Sequence, residues 1–333
     1  MEHCIGVIRY SFRNITCIDD GMNNQISMFD LMYPTYKIKK EIKLITLFSG
    51  YDSQALALKY LGIPFIHHKT CEWAVKSIQA LKDMHFENDN NDYSKDLTED
   101  EVKDYLFKKG ISSNYNDPMS ESQIKRLTEK QVRTIYNNIQ ASHNLVNIQQ
   151  VKADDLEITE TDKYTYIMTY SFPCQDISAA GLKNGFDNTS TRSGMLWEVE
   201  RILKECKNKP EVLIMENVPL IHSESGGNLK NFNKWILSLE EMGYSNYWQD
   251  LSATDYGIPQ TRVRTFMVSI IGEYNYKFPK PKKLDKKLKD FLEDDVNDKY
   301  FLSQKMIDGM TNTNFNSYKL DHCYKIGGGT STP

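Results

Sequence analysis

No two cysteines stand in a C-x-x-C spacing; the six (Cys4, Cys17, Cys71, Cys174, Cys206 and Cys323) are scattered through 333 residues. Neither a zinc cluster nor a disulfide framework is suggested, and the thiols are expected to be reduced. No stretch approaches the roughly 18 uninterrupted apolar residues of a membrane-spanning helix, and no basic segment leads into a clean apolar core at the N-terminus. The expectation is a cytoplasmic protein with no membrane partner. Glycine (17) and proline (10) are too sparse for a low-complexity chain, and 40% hydrophobic with 26% charged residues is a globular composition. Neither sign of charge dominates, with 41 basic and 45 acidic residues and a net charge of −4. That balance argues against a protein that grips nucleic acid over its whole surface.

Charge is unevenly distributed, however. Seven lysines and one acid, Asp285, lie between Lys277 and Lys289, whereas the stretch from Asp83 to Glu129 is rich in Asp, Glu and Asn. The first is either a solvated linker or a phosphate-contacting patch; the second cannot meet phosphate.

Residues 1–40 show no helical or strand period and are taken as an N-terminal extension. From Ile42, short apolar runs alternate with amphipathic segments, the pattern of an α/β protein with a mostly parallel sheet flanked by helices. Strands are expected at Ile42–Phe48, Phe65–Thr70, Tyr164–Tyr170, Val212–Met215 and Val263–Ile271, and helices at Gln54–Leu61, Met195–Cys206 and Leu229–Met242. Gly62 and Gly243 close the first and last of those helices. A helical acidic insertion is expected at 83–150.

Each of the first four strands runs into a small or chemically capable cluster: Ser49-Gly50, Cys71-Glu72, Pro173-Cys174-Gln175 and Glu216-Asn217. The carboxyl ends of parallel strands line one crevice, so four clusters far apart in sequence would converge on one site. Phe48-Ser49-Gly50, between strand and helix, could offer backbone N–H groups to a cofactor. Glu72 could accept hydrogen bonds from two ribose hydroxyls. Asp155 could accept from an adenine amino group, although spacing does not separate it from Asp154. Cys174, beside the rigid Pro173, is the candidate nucleophile, with Glu216 as an acid in reach; a free thiol of pKa about 8.5 must be activated or deprotonated during attack. Arg262 and Arg264 alternate, hence share a side if the segment is extended.

Taken in order, these residues resemble the cytosine-C5 DNA methyltransferase family. Leu47-Phe48-Ser49-Gly50 is similar to its first cofactor motif, Glu72-Trp73 to the ribose-binding acid with its adenine-stacking aromatic, and Asp155-Leu156 to the adenine-contacting acid. Ser171-Phe172-Pro173-Cys174-Gln175-Asp176-Ile177-Ser178 resembles the catalytic loop and Arg192-Ser193-Gly194-Met195-Leu196-Trp197-Glu198 the motif after it. Glu216-Asn217-Val218 resembles the catalytic acid motif, and Tyr256-Gly257-Ile258-Pro259-Gln260-Thr261-Arg262-Val263-Arg264 the arginine motif.

The resemblance implies a Rossmann-like methyltransferase core, S-adenosylmethionine as methyl donor, double-stranded DNA as partner and no metal. It implies catalytic roles for Cys174, Glu216, Arg262 and Arg264, and a cofactor site of Phe48, Ser49, Gly50, Glu72, Trp73, Asp155, Pro173 and Met195. The catalytic domain would span 41–274, and 275–333 would open an incomplete target-recognition region. Two departures stand out: Gly50-Tyr51-Asp52-Ser53 replaces further glycines, with Asp52 expected near the carboxylate or amino end of the methionine, and the family's closing Gly-Asn segment is missing. The alternatives are a split subunit completed by a second chain, which binds cofactor without methylating alone, or an RNA cytosine-C5 methyltransferase. Adenine-N6 and cytosine-N4 chemistry is disfavoured because no Asp/Asn-Pro-Pro-aromatic tetrapeptide occurs. Finally, Gln25-Ile26-Ser27-Met28-Phe29-Asp30 resembles a sliding-clamp docking peptide, with Gln25 and Phe29 as its anchors.

Overall fold

A computed structural model describes residues 33–174, 177 and 193–312. Six strands, β1 (Glu41–Leu47), β2 (Phe65–Cys71), β3 (Tyr164–Tyr170), β4 (Val212–Asn217), β5 (Tyr244–Ser252) and β6 (Val263–Ile271), form one sheet in the order β2-β1-β3-β4-β6-β5. β1 pairs in parallel with β2 and β3, and β3 with β4; β6 runs antiparallel to β4, with Glu216 opposite Phe266 and Asn217 opposite Thr265. The mostly parallel α/β architecture expected from the sequence is therefore present. β3 is buried along its whole length, as a central strand covered on both faces must be.

One face of the sheet packs under helices α6 (Leu196–Glu205) and α7 (Asn228–Glu241), through Leu196, Val199, Ile202 and Leu203 of the first and Phe232, Trp235, Ile236 and Leu239 of the second. Those spacings place each apolar set on one helical stripe. The Trp235 indole N–H finds Tyr170 Oη at 3.1 Å, so the largest buried side chain leaves no polar atom stranded. On the other face Ile42, Leu44 and Ile167 meet Ala55 and Leu58 of α1 (Ser53–Tyr60), with Tyr36, Tyr274 and Phe278.

Between β2 and β3 the chain builds four further helices, α2 (Val75–His85), α3 (Glu99–Lys109), α4 (Glu121–Lys125) and α5 (Glu129–Ala141). Ile78, Val102, Leu106, Ile124, Val132 and Ile139 give this region its own core. Three of its helices start on reciprocal caps, Thr98 with Glu101, Ser120 with Gln123, and Thr128 with Gln131.

The chain divides into two compact units. Of the described residues, those up to Leu251, with Arg264–Pro279, make up the first. The second holds Ser252–Val263 and the described residues from Lys280 onward. Within it Ala253 N–H donates to the Arg262 carbonyl at 3.0 Å and Lys282 N–H to the Asp255 carbonyl at 2.6 Å. Its described part ends in α8 (Gln304–Asn312). Among the described residues no helix is long and apolar enough to cross a membrane.

Candidate active site

Because β1 to β4 are parallel, their carboxyl ends fall on one rim, and the clusters at Ser49-Gly50, Glu72, Ser171–Cys174 and Glu216-Asn217 arrive there together. β6 is antiparallel to β4, so it is the beginning of β6 that reaches the same rim and delivers Arg264 to Glu216. The reversed direction of β6 was not legible in the sequence, and it is what joins the arginine motif to the acid.

Glu216 is held from two sides. Arg264 Nε forms an ion pair with Oε1 at 3.1 Å and Ser171 Oγ–H donates to Oε2 at 2.6 Å, with the Glu216 side chain 19% and the Arg264 side chain 24% exposed. The pair is thus sheltered but open enough to meet a ligand. Asn217 turns the other way: its amide donates to the Phe172 carbonyl at 3.1 Å and its oxygen accepts from Val218 N–H at 2.8 Å. With Phe172 buried, the chain just before Pro173-Cys174 is fixed to the end of β4. Cys174 is half-buried and not in a disulfide, and its carbonyl accepts from Ile177 N–H at 3.1 Å. Gln175, Asp176, Ser178 and Arg192 lie outside the described residues.

The β1–β2 end is built differently. Ser49 is buried, donates to the Thr46 carbonyl at 2.7 Å and accepts from Cys71 N–H at 3.1 Å, tying the two strand ends together. The loop N–H groups expected to face a cofactor are used internally: Ser49 N–H by the Cys71 carbonyl, Asp52 N–H by the Ser49 carbonyl, and Gly50 N–H by Glu72 Oε2 at 2.9 Å. What Gly50 offers instead is space, since no heavy atom lies within 4 Å of where a Cβ would stand. Glu72 is 8% exposed, and its other oxygen accepts from Ala74 N–H at 2.7 Å. Burial pushes its carboxyl above the usual range against those backbone hydrogen bonds, which favour the charged form.

Asp52 is not where the sequence suggested. At 1% exposure its carboxylate points inward, caps α1 by accepting from Ala55 N–H at 3.1 Å, and accepts from Thr46 Oγ–H at 3.3 Å. An Asp at the N-cap satisfies a helix donor that would otherwise be orphaned, and that demand outweighs any outward role.

Trp73 is half-buried against the core of the inserted helices, and Met195 is half-buried against the core beneath α6. Asp155 is exposed, with one oxygen accepting from Lys152 N–H at 2.8 Å. Arg262 is exposed and belongs to the second unit. The sequence reading gave no role to Ser171 or to Asn217 as a brace. It also missed the His222–Asp250 pair at 3.1 Å, whose aspartate accepts from Thr265 Oγ–H at 2.5 Å. A polar residue directly after a strand and three before the nucleophile, or directly after a strand-end acid, is the signal that would have found the first two.

The model of the C-5 cytosine-specific DNA methylase family matches residues 108–325. The chain belongs to that family. The methylase is 35% identical over 272 residues to the Type II methyltransferase M2.ScrFI of Lactococcus lactis subsp. cremoris, spanning 80% of this chain and 71% of that protein. It is also 35% identical over 269 residues to the orphan methyltransferase M.SssI of Spiroplasma monobiae, spanning 79% of this chain and 68% of that one. As a member, the methylase transfers a methyl group from S-adenosylmethionine to C5 of cytosine in DNA.

Proposed function

We propose that Cys174, Glu216 and Arg264 carry this chemistry, with Arg262 supporting them, and that Phe48, Ser49, Gly50, Glu72, Trp73, Asp155, Pro173 and Met195 form the cofactor site. The observation that carries the reading is the Glu216 carboxylate, gripped by Ser171 and Arg264 at the end of β4, while Asn217 anchors the segment that bears Cys174.

The residues at the β1–β2 end fit an adenosyl group. The Glu72 carboxylate has about four lone-pair sites and takes backbone hydrogen bonds from Gly50, Ala74 and, more weakly, Trp73, so capacity remains for a ribose hydroxyl. The open side of Gly50 admits a ligand against the backbone. When bound, S-adenosylmethionine supplies an electrophilic methyl group.

Cys174 Sγ, as thiolate, bonds to C6 of a cytosine turned out of the duplex; inside the stack neither face of the ring could be reached. Glu216 stabilises a proton at N3, so that negative charge does not accumulate on the ring as the C5=C6 pair is displaced. Arg264 aligns that carboxylate through its ion pair, and its guanidinium also holds the base carbonyl in our reading. C5, made electron-rich by the Cys174 adduct, takes the methyl group. Loss of the C5 proton restores the double bond and expels the cysteine thiolate.

Beyond the base, the exposed lysines from Lys280 to Lys289 suit contact with DNA phosphates. The setting we favour is bacterial or phage DNA modification alongside restriction. Gln25 and Phe29 lie outside the described residues, and their clamp reading rests on the sequence; a pull-down unchanged by Gln25→Ala with Phe29→Ala removes it. The central test is transfer of labelled methyl from S-adenosylmethionine to mixed-sequence duplex DNA, and in parallel to RNA, with Cys174→Ser as the blank. DNA labelling that vanishes in the variant is expected. Labelling that persists in Cys174→Ser, or that reaches RNA alone, overturns the assignment. Silence from a folded chain that still binds cofactor points to a second polypeptide.

A further inference from the structure

We propose that a largely buried group of Asp52, His67 and His85 is the positioning device that holds the glycine-poor cofactor turn in shape. The inference rests on the assignment of Phe48–Gly50 to the S-adenosylmethionine site.

The turn from β1 into α1 passes through left-handed backbone three times in five residues, at Phe48 (φ 56°), Gly50 (φ 55°) and Asp52 (φ 57°). Glycine adopts that conformation freely; an L side chain is disfavoured there by contact between Cβ and the neighbouring carbonyl. The chain spends one glycine on three such positions, so other contacts must hold the rest of the turn.

Those contacts come from inside. Asp52 is fixed by its cap to Ala55 N–H and by Thr46 Oγ–H, and His67 Nδ1 stands 3.7 Å from its Oδ2. One residue earlier, His85 Nε2 lies 2.8 Å from the Tyr51 carbonyl. A carbonyl only accepts, so His85 carries its proton on Nε2 and grips the turn by its backbone. The Tyr51 side chain meanwhile is 55% exposed. The two rings come from different elements, β2 and the last turn of α2, and meet at a centroid distance of 5.2 Å. His67 is further enclosed by Phe65 and Phe86.

The remaining nitrogens, His67 Nε2 and His85 Nδ1, are buried with no hydrogen-bond partner among the described residues. For His67, an imidazole kept neutral can bury a bare lone pair more readily than an unmatched N–H or a charge. Burial also presses the His67 pKa down to about 3. Mere core filling would need no nitrogen at these places, and apolar side chains would leave the Tyr51 carbonyl unpaired. The aspartate and the two imidazoles together supply what further glycines would have made unnecessary.

The test measures S-adenosylmethionine dissociation constants and methyl-transfer kinetics for the full chain. His85→Ala is expected to weaken cofactor binding roughly fivefold to tenfold. The loss should lie in KM for the cofactor and not in kcat. His85→Gln, which carries an amide nitrogen out to the Nε2 position, should recover most of the affinity, whereas His85→Asn, with the same chemistry one carbon shorter, should not. Equal affinities for the Gln and Asn variants overturn the proposal, and this pair decides it even where His85→Ala fails to fold. A loss confined to kcat also overturns it. Glu72→Ala separates the two layers: a folded Glu72→Ala with undiminished affinity sinks the cofactor assignment and the positioning device with it. Sensitivity at Glu72 with indifference at His85 sinks the positioning device alone.

Discussion

The two ends of the rim solve opposite problems. At the β4–β6 end, Glu216 and Arg264 keep about a fifth to a quarter of their side-chain surface and face each other as a charged pair. At the β1–β2 end, Asp52 and Glu72 are sunk below 10% exposure and held by backbone N–H groups, with His67 and His85 beside Asp52. Chemistry on a base needs a charge that can be reached, whereas a cofactor turn needs a shape that does not relax. Partial exposure gives the first, because water and ligand can exchange at the pair. Burial gives the second, because any rearrangement would strand a polar group.

The comparison is broken most severely at Glu216. Glu216→Gln keeps the shape but removes the charge that Arg264 and a protonated N3 require, and kcat should fall by about 10² to 10³ in single-turnover methyl transfer. Folding midpoints should barely move, since the pair is partly solvated. A large drop in stability instead would mean the pair is structural.

The buried end should reveal itself through acid. The His67 pKa in the fold is about 3, below the ordinary value of 6.5, so the unfolded chain takes up the proton first. The stability linked to His67 is therefore complete above pH 6.5 and is lost progressively as pH falls toward 3. About 2 kcal/mol should disappear between pH 7.5 and pH 5 in urea titrations. Asp52 works in the opposite sense, because burial raises its carboxyl and protonation relieves that burden as pH falls. His67→Gln should flatten the acid loss; the same slope in wild type and variant would disprove the assignment to this ring.

Smaller effects sharpen the contrast. Arg264→Lys preserves charge but loses the planar guanidinium that pairs with Glu216, and kcat should drop roughly tenfold to thirtyfold with little change in fold stability. Asp52→Ala removes a helix cap and leaves a Cβ in left-handed backbone, costing about 1–2 kcal/mol in denaturant midpoint. Asp52→Asn, which can both cap and tolerate that conformation, should cost less than half as much.

Much of this frame is legible in the sequence, for identifiable reasons. Tyr164–Tyr170 and Val263–Ile271 match their strands at both ends, because apolar runs bounded by turn residues leave little freedom of register. β5 was missed: as Tyr244–Ser252 it is half exposed, so Gln249 and Asp250 interrupt the apolar alternation that betrays a strand. The individual helices of the insertion were likewise blurred by charge, although Thr98-x-x-Glu101, Ser120-x-x-Gln123 and Thr128-x-x-Gln131 each spell out a helix start. At the site, the rim clusters followed from parallel topology alone. The inward turn of Asp52 did not, since an aspartate after a glycine serves as ligand or cap with equal ease, and only the position of Ala55 N–H decides. Nor did the role proposed for His85, whose partner is a backbone carbonyl and leaves no trace in residue identity.

The inserted helices bear on the order in which the chain can assemble. β1 pairs with β3 across more than a hundred residues, a separation that makes direct pairing slow because the whole loop must be closed at once. The insertion divides that search. Its helices start on local caps, and Leu145 N–H then donates to the Thr70 carbonyl at 2.8 Å while Thr70 N–H reaches the His143 carbonyl at 3.3 Å. Once those two bonds clasp the insertion to the end of β2, only the stretch from Leu145 to Tyr164 separates β3 from its place in the sheet. The insertion thereby acts as a topological shortcut, bringing the strand that leads into Cys174 within reach of the strands that carry the cofactor turn.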